Sequence, residues 1–191
     1  METINYKGHE IELIQDEDPQ NPRTEWDNMG KMVCFHSQYG LGDKHNLTMD
    51  DVKDILDRKD VIALPLYLYD HSGITMSCKP FSCPWDSGQV GIIYVDYETL
   101  KKEFNVKKVS AKIRELARKV LISEVETYDK YLTGDVWGWK ACEESVWGYF
   151  GSEDALAEAK NHIDWFIEDE RKKKQEHVKT MILNKVPLYA R

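Results

Sequence analysis

The stretch VIALPLYLYDHSGITMSCKPFSCPWDSGQVGIIYV, Val61 to Val95, decides how the rest of the chain is read. It opens with one apolar run, Val61 to Tyr69, and closes with another, Val90 to Val95. Each has the length and the β-branched and aromatic content of a buried strand. Between them lie Asp70, His71, Cys78, Cys83 and Asp86 together with Gly73 and Gly88. Reactive side chains on loop-forming sequence, held at both ends by strands, are where a site is expected first.

Glu2 to Gln15 alternates apolar and polar residues on either side of Lys7-Gly8, which predicts an N-terminal hairpin. DEDPQNPR (Asp16 to Arg23) has the prolines and acids of a loop, and Met29 to Phe35 reads as a short strand. Trp26, in polar surroundings, is expected as a plug over the core rather than a contact residue. His36 to Asn46 is expected to be irregular. Thr48 then marks a helix start, with Asp50 and Asp51 in the first turn and Leu47 able to staple onto Val52. Beyond Val95, Tyr97 to Phe104 reads as a short helix. Ser110 opens a long one whose Ile113, Ala117, Val120, Leu121, Val125 and Tyr128 recur at helical spacing until Gly134. DVWGWKACEESVWGYFG (Asp135 to Gly151) is a tryptophan-rich hairpin by pattern, and Ser152 caps the last helix, with Leu156, Ala159, Ile163, Phe166 and Ile167 on one face.

These elements define an α+β fold: a mostly antiparallel sheet built from the N-terminal strands, the central pair and the tryptophan hairpin, with two long helices packed on one face. Residues 1–167 are expected as a single domain and 168–191 as a charged C-terminal helix extension, because the apolar stripe lapses at EDERKKKQEH. That extension offers a route to a homodimer.

Composition limits the function. The chain has 191 residues, 41% of them hydrophobic, with a formal charge of −8 and a pI near 5.3. General nucleic-acid binding needs Lys and Arg in excess, so a basic protein partner suits this charge better. No window is long and apolar enough to span a membrane, and the polar start METINYKGHE lacks a signal's apolar core, which points to the cytoplasm. The four cysteines, Cys34, Cys78, Cys83 and Cys142, are accordingly read as thiols. No phosphate-binding glycine loop joins a strand to a helix, and no cofactor is expected.

The central loop admits three kinds of chemistry. Asp70, His71, Cys83 and Asp86 could form a Cys/His or metal-dependent hydrolase or nuclease, since a thiol needs a nearby base to become a nucleophile. Asp70 and His71 are adjacent on a strand and face opposite ways, so they do not pair with each other. Cys34, His36, Cys78 and Cys83 form an alternative zinc set, only loosely like closely spaced ligand pairs, and Asp43, Asp70 and Asp86 a carboxylate one. The plainer expectation, preferred here, is that His71 and Asp86 fix the connection between strands while the cysteines are small apolar groups.

PRTEWDN (Pro22 to Asn28), LPLYLYDHSGITMS (Leu64 to Ser77), FSCPWDSGQVGIIYV (Phe81 to Val95), YDKYLTGDVWGW (Tyr128 to Trp139) and VWGYFG (Val146 to Gly151) together resemble a family of small proteins found in phages, plasmids and other mobile elements. The likeness spans most of Pro22 to Gly151. It implies a counter-defence protein acting in the cytoplasm of a host cell, similar in character to anti-CRISPR inhibitors that bind RNA-guided DNA nucleases. The basic channels of such a nuclease suit an acidic ligand. Contact residues expected on that basis are Asp16, Glu17, Asp18, Asp50 and Asp51, the charged C-terminal helix, and Trp26 and Trp137 as aromatic anchors.

Overall fold

A computed structural model describes residues 1–185, so the last positions of the expected 168–191 extension, 186–191, lie outside the described residues. The fold is α+β with antiparallel pairing throughout. The strands are β1 (Glu2–Tyr6), β2 (His9–Gln15), β3 (Lys31–Cys34), β4 (Val61–Asp70), β5 (Ile74–Ser77), β6 (Ser87–Asp96), β7 (Val136–Ala141) and β8 (Glu144–Phe150). The helices are α1 (Met49–Asp57), α2 (Tyr97–Glu103), α3 (Ala111–Thr133) and α4 (Ser152–Lys185).

Instead of the one sheet expected, the strands make two four-stranded sheets, ordered β1-β2-β7-β8 and β3-β6-β4-β5. The chain clusters into two compact units to match, one made of Met1–Glu17 with Val136 onward, the other of Asp18–Asp135, where the sequence reading has a single domain over 1–167. The two long helices therefore do not share a sheet face: α3 packs against β4, β5 and β6, and α4 against β2, β7 and β8.

In the Asp18–Asp135 unit, β6 carries apolar residues toward both faces of its sheet. Ile93 and Val95 join Met32, Leu66, Leu68, Leu121, Val125 and Tyr128 in the main core, while Ile92 and Tyr94 pack with Val33 and Val52 on the other side. Successive side chains on a strand alternate faces, so a strand covered by helices on both sides reads as the unbroken run GIIYV. Helix α1 starts in a capping box: the Thr48 hydroxyl accepts from the Asp51 N–H, and the Asp51 carboxylate accepts from the Thr48 N–H. Ser110 caps α3, which ends at Gly134 in the left-handed region (φ 72°). Asp129 on α3 accepts from the Thr75 hydroxyl and the Met76 N–H, both at 2.6 Å, tying the helix to β5.

In the other unit, two-residue turns with positive φ at Lys7-Gly8 and Cys142-Glu143 close the β1–β2 and β7–β8 hairpins. Ile11, Leu13, Trp139 and Ala141 pack against Ala155, Ala159 and Ile163 of α4. The helix runs without a break past Ile167, the expected domain edge. From Arg171 to Ile182 its residues are exposed, and the segment carries ion pairs such as Asp169–Lys173 at 2.7 Å. Such exposed pairs are screened by water and add little to stability. Val178, Met181 and Ile182 are exposed on this segment.

Candidate functional site

Strands β4 and β6 pair from Val61↔Asp96 to Tyr69↔Ser87, so the chain that leaves one and enters the other is brought to a single end of the sheet. The connection is more ordered than its glycines and prolines suggest. Ile74–Ser77 forms strand β5 on the outer side of β4, through a turn at Ser72 and Gly73. Only residues 78–86 remain as a loop.

Asp86 is the hub of that loop. Its carboxylate Oδ2 lies 3.3 Å from His71 Nδ1 and 3.6 Å from Cys83 Sγ, and its backbone carbonyl accepts from the Asp70 N–H at 2.8 Å. The Ser87 hydroxyl donates to the Cys83 carbonyl, and the Lys79 N–H to the Ser77 hydroxyl. Tyr69 packs beside His71 and Phe81, with ring centroids 6.1 and 5.7 Å away. His71, Cys83 and Asp86 are thus brought together, while Asp70 contributes its backbone. The order of contacts matters chemically. A cysteine nucleophile needs the imidazole against the sulfur and the carboxylate behind the imidazole, whereas here the carboxylate stands between the other two. These contacts brace the segment CPWD, whose Trp85 is 91% exposed.

The alternative zinc set is not assembled. Cys34 is buried in the core, its thiol pushed up to about 12 by burial and by the nearby Asp43 carboxylate. Cys78 packs against the same core, its thiol pushed up to about 11 by burial. His36 accepts from the Gln38 and Tyr39 N–H groups through Nδ1 and stacks on Tyr39 at 4.9 Å. Among the described residues no three His, Cys, Asp or Glu side chains stand close enough to hold a metal ion, the Asp43, Asp70 and Asp86 set included.

Asp43 belongs to a different cluster, which the sequence did not announce. Arg23, with a side chain 1% exposed, donates from Nε and Nη2 to the two Asp43 oxygens at 2.8 and 2.7 Å. It also donates from Nη1 to Glu124 at 3.0 Å and from Nη2 to the Gly30 carbonyl at 2.7 Å. Glu124 in turn accepts from the Met29 and Gly30 N–H groups, and Asp43 from that of Met32. Burial opposes the guanidinium's charge, yet the two carboxylates outweigh it and hold the arginine pKa above its ordinary value. One signal was available: Glu124 sits on the stripe of Ala117, Leu121 and Tyr128, where a carboxylate needs a buried partner.

The expected contact residues fall in several places. Trp26 is half exposed, neither a full plug nor a free anchor, and lines a cleft of about 390 Å³ with Asp27, Glu103, Val120 and Thr127. Asp50 pairs with Lys53 at 2.8 Å and Asp51 serves the α1 cap. Asp16, Glu17 and Asp18 follow β2. Trp137 is half-buried against the core that includes Ile11 and Leu13. The strongly exposed tryptophans are Trp85 and Trp165 instead.

No family model, no curated protein and no solved structure matches this chain. Among the described residues no helix is long and apolar enough to cross a membrane.

Proposed function

We propose that this protein acts by binding a protein partner, and that the partner is a basic RNA-guided DNA nuclease of a host cell, which it inhibits as a mobile-element counter-defence protein. The observation that carries the binding reading is Trp85, 91% exposed on a loop fixed by the contacts of Asp86 with His71, Cys83 and Asp70. A large aromatic held on a braced loop loses little freedom on association and is the residue type that most often dominates interface energy. The net charge of −8 favours a cationic partner surface and speeds the encounter with it. The choice of nuclease rests on the resemblance to mobile-element proteins.

The test uses a purified, guide-loaded nuclease, with capture of the complex and DNA cleavage as readouts, and three proteins: wild type, Trp85→Ala and Cys83→Ser. Trp85→Ala is expected to weaken capture and inhibition by tenfold or more, the cost of about 1.4 kcal/mol at an anchor. Cys83→Ser keeps a donor for Asp86 and is expected to leave both unchanged. Loss of function in Cys83→Ser with Trp85→Ala unaffected would overturn the binding reading in favour of an enzyme at the loop.

A further inference from the structure

In the unit that holds α4, strand β8 and the helix border a cleft of about 350 Å³ lined by Trp139, Glu144, Val146, Tyr149, Glu158, Asn161, His162 and Trp165. Three of its rings follow one another, Trp139–His162 at 5.1 Å and His162–Trp165 at 5.8 Å between centroids. Trp165 is 61% exposed, whereas Trp139 is 2% exposed. The Trp139 indole Nε1 and the His162 Nε2 are buried and, among the described residues, have no hydrogen-bond partner. Buried polar groups are nearly always paired, so two such atoms on neighbouring residues that line one cleft point to a place where a ligand completes the bonding. Two carboxylates, Glu144 and Glu158, stand in the same lining, and Asn161 donates to Glu158 at 3.3 Å.

We infer that this cleft receives an arginine side chain carried on an extended segment of a protein partner. A guanidinium lies flat on indole and imidazole faces and donates to carboxylates, which accounts for the rings and for Glu144 and Glu158. It has no acceptor to offer, while the Trp139 indole is a donor only. The ligand therefore has to bring a cation and an acceptor together, as an arginine with its adjoining peptide carbonyl does. A phosphate or nucleic acid would bring acceptors but meet the two carboxylates. The inference deepens the binding reading above by giving the partner's chemistry at a second place. It does not use Trp85.

The experiment follows the six tryptophan indole N–H signals of the nitrogen-labelled full chain by NMR, with the Trp139 signal assigned from a Trp139→Phe variant. Blocked Gly-Arg-Gly is titrated at constant ionic strength, with blocked Gly-Glu-Gly and arginine amide as controls. The arginine peptide is expected to move the Trp139 signal saturably in the millimolar range, as fits a single anchoring residue. The acidic peptide is expected to leave it in place, and arginine amide to bind more weakly. The exposed substitutions Trp165→Ala and Glu144→Gln/Glu158→Gln should each weaken the peptide tenfold or more, and Trp85→Ala should titrate like wild type. An unmoved Trp139 signal, an equal shift by the acidic peptide, or undiminished binding by the Glu144→Gln/Glu158→Gln variant would overturn the assignment. Failure of nuclease inhibition with these shifts intact would count against the nuclease alone.

Discussion

Arg23→Met is the most informative single change in the Asp18–Asp135 unit. The substitution keeps much of the side chain's apolar bulk but removes the cation between Asp43 and Glu124. It deletes four hydrogen bonds, three to carboxylate oxygens and one to the Gly30 carbonyl. Removing one member of a buried ion pair costs about 3–5 kcal/mol, because the remaining charge is left without compensation. Glu124 is 12% exposed and Asp43 28%, so water screens the second more than the first and the lower end, about 3 kcal/mol, is expected. Against a typical total of about 5–15 kcal/mol this is large. Urea denaturation followed by circular dichroism should show it as a lower midpoint at unchanged slope. Glu124→Gln supplies the cross-check. Alone it weakens the pair with Arg23 and upsets the acceptors for Met29 and Gly30, whereas beside Arg23→Met it removes a stranded charge. The coupling should amount to about 1–3 kcal/mol. A loss below about 1 kcal/mol for Arg23→Met, or equal costs of Glu124→Gln in both backgrounds, would mean that Arg23 does not compensate a buried charge.

Other outcomes follow from the same structure. A Cβ at Gly91 would meet the Val33 carbonyl oxygen at 1.9 Å and the Cys34 Cα at 2.9 Å, both backbone, so Gly91→Ala should separate β3 from β6 and cost about 3 kcal/mol or more in thermal unfolding. Gly40→Ala, with nothing within 4 Å, should stay within about 0.5 kcal/mol. Asp129→Ala leaves the Met76 N–H without its acceptor and should accelerate its hydrogen exchange about tenfold or more, as losing about 1–3 kcal/mol of protection implies. Alkaline pH should destabilise the fold: burial holds the Cys34 thiol protonated to about 12 against an ordinary 9.0, so the folded state keeps a proton that the unfolded state releases. That contribution is intact below about pH 9 and lost toward pH 12. Burial also raises the Tyr128 phenol, so Cys34→Ala should flatten only part of the slope in a pH series of urea midpoints.

What could be read along the chain was local. Lys7-Gly8, the Thr48 helix start, the Ser110 to Gly134 helix and the tryptophan hairpin each carry their signal within a few residues, and each stands where its signal put it. The sheet's division did not, because β2 pairs with β7, Leu13 opposite Trp139, and nothing between residues 9 and 141 encodes which strand seeks which. Strand β5 escaped notice because four residues with only Ile74 and Met76 alternating give too short a period, and because Asp129, far along the chain, holds it. Burial of Arg23 was signalled only from the far end, by Glu124 on the apolar stripe of α3, and nothing local to Arg23 marked it as that partner. The tryptophans show the limit most sharply: Trp137 in DVWGW and Trp165 in IDWFI both have apolar residues and an aspartate within two positions, yet one packs on a core and the other stands open, a difference set by which helix face meets which strand.

The same distinction between composition and arrangement bears on the central loop. Asp, His and Cys within seventeen residues, Asp70 to Asp86, supply every group a thiol hydrolase needs, so composition alone leaves catalysis open. The geometry ranks the uses. An imidazole activates sulfur only by taking its proton, which requires contact between them, yet His71 Nδ1 and Cys83 Sγ each meet Asp86 Oδ2. A carboxylate in that position holds the thiol as a donor and draws both neighbours toward the turn. The backbone bonds point the same way, since Asp86 receives the Asp70 N–H and Cys83 the Ser87 hydroxyl, closing the loop on itself. Such a loop uses its polar groups to hold its own shape, and the large side chain it presents outward is Trp85.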